Sequence, residues 1–196
     1  MRILTLACAV ALALAASARA ENAAPPAQPP APAQTQTSAA LDELFARLAA
    51  TEDPDEAAGV VALIDRLHRQ SGSDTGDLLM ARAIATMEAR DYSISRSLLD
   101  AIVDLRPDWA EAWSRRATAR YLSGDPKGAM ADLAQALARD PRHLQALTQL
   151  AAILEDAGLK EQALSVDERA LAIAPHWRPL VEAAARLKAA LAGQAL

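Results

Sequence analysis

Three prolines, Pro107, Pro141 and Pro175, stand 34 residues apart, each between two apolar runs of helical period. They lie in "RPDWAEAW" (106–113), "DPRHLQAL" (140–147) and "APHWRPLV" (174–181). A proline lacks the backbone donor and its ring clashes with the turn before it, so none of the three can lie inside a helix. A chain interrupted at one fixed interval is built from a unit used repeatedly.

On that period the units are 76–109, 110–143 and 144–177. The fourth position holds Leu79, Trp113 and Leu147, and the eighth Ala83, Ala117 and Ala151. The twentieth holds Ser95, Ala129 and Ala163, and the twenty-seventh Ile102, Ala136 and Ala170. Small residues at the eighth and twentieth positions let two helices of a hairpin approach closely, while the large fourth residue fills the gap between hairpins. Turn residues separate the helices in "RDY" (90–92), "SGDPKG" (123–128) and "AGLKE" (157–161). Gly124 and Gly158 fall just past a helix end, where positive φ suits glycine. Asp125 and Pro126 then open the next helix as N-cap and first helical residue.

This pattern resembles the tetratricopeptide (TPR) repeat across 76–177. The resemblance implies an all-α fold, a right-handed superhelical solenoid of antiparallel helix pairs with about nine helices once the flanks are counted. Two positions depart from the family pattern. The seventh, usually Leu, is Leu150 in the third unit but Arg82 and Arg116 in the others. The twenty-fourth, usually aromatic or apolar, is Leu99 and Leu133 but Asp167 in the third. These charged positions are expected to be looser or open to solvent.

The flanks continue the architecture. Residues 39–75 read as a divergent N-terminal hairpin, with Leu41, Leu44, Phe45 and Leu48 on one face. Its second helix starts at Asp53-Pro54 and carries Val60, Val61, Leu63, Ile64 and Leu67. It is expected to cover the N-terminal end of the stack. Residues 178–196 read as a C-terminal capping helix with Val181, Ala185 and Leu187 facing inward.

Residues 1–20, "MRILTLACAVALALAASARA", have the layout of a secretory signal peptide: Arg2, a short apolar stretch, and "ARA" before a cleavage expected after Ala20. The apolar stretch is too short for a bilayer-spanning helix, so no stable membrane insertion is expected after cleavage. Cys8, the single cysteine, would leave with the leader, and so would Arg2 and Arg19 from a chain already at a formal charge of −5. Residues 21–38 hold five prolines and nothing apolar larger than Ala, and read as a disordered Pro/Ala/Gln-rich linker. Export without a further sorting signal points to the periplasm of a bacterium.

The acidic balance and the lack of a basic run argue against nucleic acid as a partner. His68, His143 and His176 have no metal-ligand spacing, and His143 and His176 read as residues of the proline corners. Asp77, Glu111, Glu155 and Asp156 read as solvated helix faces. Trp113 reads as a core residue, with Trp109 and Trp177 packed at the turns between units. With no nucleophile elbow, phosphate loop or acid pair, an enzyme is not expected and no cofactor or metal is called for.

What the resemblance leaves for function is the concave surface, lined by the first helix of each unit. Carried onto this chain, the peptide-binding positions are Met80, Ile84, Met87, Ser114, Arg115, Thr118, Gln145, Thr148 and Gln149. The Lys/Asn clamp by which some TPR domains hold a C-terminal carboxylate is absent. Mixed Met and polar side chains suit an extended or helical protein segment. Arg115 either meets a carboxylate of that segment or pairs with Glu111 one turn earlier. The expected role is a non-catalytic scaffold or adaptor that binds a protein or peptide in the cell envelope. The alternative is self-association through the terminal repeat.

Overall fold

The proline corners divide the chain as its period requires. The computed structural model describes residues 32–194, and the expected leader and most of the expected linker lie outside them. Among the described residues there are nine helices and no strand: α1 (Pro32–Ala50), α2 (Pro54–His68), α3 (Asp74–Glu88), α4 (Tyr92–Leu105), α5 (Ala110–Leu122), α6 (Pro126–Arg139), α7 (Leu144–Asp156), α8 (Lys160–Leu171) and α9 (Arg178–Gln194). None is long and apolar enough to cross a membrane. Helix α1 begins at Pro32, inside the stretch expected to be linker up to residue 38. A proline is tolerated in a first turn, and nothing after it breaks the helix, so the amphipathic segment at 41–48 propagates backwards.

Short side chains fix where four of the nine described helices start. Asp53, Ser73, Asp91 and Asp125 each accept a backbone N–H of the first turn. The fifteenth position of each unit ends the first helix of its hairpin in the left-handed region: Arg90 at φ 62°, Gly124 at 85° and Gly158 at 77°. Only the first unit holds a residue with a Cβ there. Arg90 is exposed. Arg90→Gly is therefore expected to stabilise the protein by about 1 kcal/mol, visible as a higher urea midpoint.

The small positions do what their size suggests. Ser95 donates its hydroxyl to the Ala83 carbonyl at 2.9 Å across the α3–α4 crossing. Ala117, Ala129 and Ala163 are wholly buried, and Ala151 nearly so, at the two later crossings. Helices from α3 to α9 pack in succession, and α1 packs on α2, but α2 does not extend the succession onto α3. The hairpin thus does not cover the N-terminal end of the stack. The third position of each unit records the difference: Ala112, Ala146 and Leu180 are buried, whereas Leu78 is 71% exposed.

Two further expectations shift. The inward face of α9 is Leu180, Ala184 and Leu187, while Val181 and Ala185 are exposed. These are the third, seventh and tenth positions of an unfinished unit, the same face that α5 and α7 turn inward. Arg116 is not open to solvent. Its guanidinium makes two 2.8 Å hydrogen bonds to the buried Asp132 of α6 and one of 3.0 Å to Asp100 of α4. It also lies 4.7 Å from the centre of the Trp113 ring, which Arg139 covers at 4.5 Å. The departure at the seventh position is thus a buried ion pair that ties three helices.

Candidate functional site

The side of the array that carries the proline corners is where the N-terminal hairpin docks. At the first corner, the Trp109 indole donates to the His68 carbonyl at 2.7 Å, and Arg106 donates to the Ser71 carbonyl at 2.6 Å. At the second, Arg142 pairs with Asp42 at 2.7 Å and lies over the Phe45 ring. At the third, Ala174 is buried in the same apolar cluster as Leu48, Val60, Val61 and Ile64, and Arg178 reaches Asp55. Helix α2 therefore runs across the corners, its start at the third and its end at the first.

At the middle corner the docking is polar and buried. His143 is wholly buried; its Nδ1 accepts the Ala146 N–H and caps α7, where Trp109 starts α5 with no side-chain cap. Nδ1 is thus occupied as an acceptor, and the ring proton sits on Nε2, which stands 3.0 Å from Glu111 Oε2. The other Glu111 oxygen accepts from Arg115 at 2.6 Å, and Arg115 also donates to Gln145 at 3.1 Å. The His68 ring stacks on His143, centres 4.6 Å apart and 12° from parallel, with its Nε2 3.2 Å from Asp140 Oδ2. Neither imidazole–carboxylate contact has the alignment of a hydrogen bond.

Burial works against ionised Glu111, but the His143 contact and the Arg115 charge outweigh it and hold its carboxyl below the usual range. Asp140 is lowered in the same way, with His68 overcoming the cost of burial. Asp65 of α2 is pushed up, first by burial and then by the Glu111 charge. Glu111 is therefore not a solvated helix face. Sequence spacing could not show this network, because His68 and His143 meet only after the hairpin has docked. His143 is enclosed while His68 borders an open cavity of about 560 Å³ between the hairpin and the corners, and the stacked rings serve as a fastener that no substrate can reach at His143.

The expected groove residues divide into three groups. Met80 and Ser114 are buried and line nothing open. Arg115 and Gln145 are hydrogen-bonded to each other, and Glu111 holds Arg115 as well, so both pair within the chain rather than waiting for a ligand. Ile84, Met87, Thr118, Thr148 and Gln149 remain partly exposed. Thr118 donates to Gln149 at 3.1 Å, and the Tyr121 hydroxyl hydrogen-bonds Asp156, so polar rungs lace α5 to α7. In the C-terminal half of this face Ala152 is exposed and Glu155 half-exposed. No group of acids, histidines or cysteines among the described residues could hold a metal ion.

Antiparallel helix pairs on a 34-residue period, crossing at small residues and stacked side by side, define an α-solenoid repeat protein. No protein-family model matches the chain. A TPR repeat-containing protein of Rhizobium etli is 37% identical over 153 residues, 78% of this chain and 75% of that one. The chain belongs to the TPR repeat proteins. Solved structures share the fold at low identity. The first TPR domain of Spaghetti, bound to an HSP90 peptide, superposes with a TM-score of 0.58 at 19% identity, covering 61% of this chain and 95% of that one. The Yersinia enterocolitica type III secretion chaperone SycD, in complex with a peptide of the translocator YopD, gives 0.58 at 18%, covering 63% and 97%. MamA gives 0.56 at 14%, covering 81% and 83%.

Proposed function

We propose that the protein is a non-catalytic adaptor that binds a segment of another protein along the C-terminal half of its concave face. The observation that carries this is the partition of the surface. The hairpin lies across the proline corners and stacks His68 on His143, and Glu111 and Arg115 are paired within the array, while Thr148, Gln149, Ala152 and Glu155 stay at least partly accessible on the first helix of the third unit. Side chains that offer both apolar contact and hydrogen bonds suit a peptide backbone and its side chains. The peptide-bound TPR domains it resembles support the reading. The signal-like residues 1–20 support export to a bacterial periplasm.

In-cell photo-crosslinking from a probe at Ala152 should trap a partner that a probe at Ala134, exposed on α6, does not. Equal trapping from both positions would reject the groove. Self-association is the second reading, favoured by Leu78 and Ile94, exposed at the uncovered first unit. A single monomeric boundary in sedimentation velocity at tens of micromolar would remove it.

A further inference from the structure

Between α7, α8 and α9 lies a pocket of about 180 Å³ that opens onto the C-terminal half of the concave face. Thr148 and Ala152 line it from α7, and Trp177, Leu180 and Ala183 form its apolar wall. Asp167 of α8 lines it as well. This is the twenty-fourth position, filled in the other units by the wholly buried Leu99 and Leu133. An acid at this position is expected to be looser or open to solvent, yet Asp167 is only 3% exposed. Its carboxylate has neither hydrogen bond nor ion pair among the described residues, and its oxygens keep access to the pocket.

A carboxylate held on a pocket wall without a protein donor costs the fold that holds it more than an apolar side chain would. Burial, and then the Glu155 charge, push the Asp167 carboxyl up from its usual range, only partly offset by Arg186. Arg186 does not neutralise it directly, because it pairs with Glu155 at 3.3 Å on the pocket's rim. A leucine would serve the packing better, as it does twice in this chain. The pocket instead pairs an apolar wall and an indole with an unpaired negative charge. That combination complements an alkyl stem ending in a cation, which buries its methylenes and gains from an aromatic face.

The geometry points to a recognition pocket for an alkylammonium group, the side chain of a lysine on the protein segment lying in the groove. Its stem would lie against Trp177, Leu180 and Ala183, and its charge would meet Asp167. This rests on the groove reading above, and the test separates the two. The probes are a blocked pentapeptide with a central lysine, the same peptide with norleucine in its place, and n-butylammonium. Binding is followed through the NMR signal of the Trp177 indole N–H, assigned with Trp177→Phe. The lysine peptide is expected to bind at least tenfold more tightly than the norleucine peptide and more tightly than n-butylammonium. Asp167→Asn, which keeps the side-chain shape, should abolish the lysine preference while leaving the rest of the spectrum in place. Equal binding of the two peptides would overturn the cation pocket and leave a groove for peptides. Binding of n-butylammonium that depends on Asp167, with neither peptide binding, would uphold the pocket and overturn the protein segment. A shift by n-butylammonium that persists unchanged in Asp167→Asn would overturn the role of the carboxylate.

Discussion

Arg116→Leu is expected to lower folding stability by about 3 kcal/mol, read as a drop in the urea midpoint without a change in slope. The substitution removes both 2.8 Å hydrogen bonds from Asp132, whose side chain is only 3% exposed. Arg120, 3.3 Å from the same carboxylate, is the one cation left to it among the described residues. A buried acid stripped of most of its compensation carries its desolvation cost nearly in full, so breaking the pair costs far more than the pair's net worth. The third unit shows the alternative solution, with Leu150 and Val166 at the equivalent seventh and twenty-third positions. Both belong to the apolar core. The double variant Arg116→Leu/Asp132→Val should therefore recover most of the loss. Asp100 and Arg120, both partly exposed, would remain solvated. If the double variant were as unstable as the single one, the ion pair would be contributing something that an apolar pair cannot replace.

His143→Ala should be of similar size, about 3–4 kcal/mol, because three contacts are lost together. The cap on α7 goes, the stacking surface of His68 goes, and buried Glu111 keeps only Arg115. His143→Asn can still accept the Ala146 N–H, and should recover only the capping part, about 1 kcal/mol. The pH dependence separates the ionic part from the packing. The Glu111 carboxyl is depressed in the folded protein, so its contribution is fully present above the unfolded carboxylate range and is lost as pH falls through the lower folded value. The difference between wild type and His143→Ala should therefore be greatest near neutrality and begin to shrink below about pH 4, where Glu111 takes up a proton in the unfolded chain of either protein, and fall further as pH drops through the lower folded value. A difference that stayed constant from pH 7 to pH 3 would show that His143 acts by packing and capping alone.

Both predictions concern charged residues whose importance is invisible in the linear chain. Arg116 departs from the family pattern at a position that the repeat normally fills with leucine, and residue type alone suggests exposure. Its burial follows from the position, which faces the neighbouring helices in every complete unit but the first. Arg82 at the same position of the first unit is exposed because no helix pair is stacked in front of it. Identical residues at identical positions thus differ in burial according to what covers them. Asp167 repeats the lesson in the opposite sense, since it is buried without gaining a partner.

The sequence by itself determined the helices, the corners and the stacking of three units. Those features rest on local rules: proline ends a helix, alanine permits a close crossing, and each unit meets the next at the same offset. It also marked which face would be concave. Only the tertiary structure decided where the N-terminal hairpin lies, because that depends on contacts between residues far apart in the chain. Asp42 meets Arg142, and His68 meets His143, once α2 is laid across the proline corners. That docking turned Glu111 and His143 from surface residues into part of a buried fastener. The surface proposed for binding is in the C-terminal half of the groove, where Asp167 and Trp177 line one pocket that no local pattern predicts.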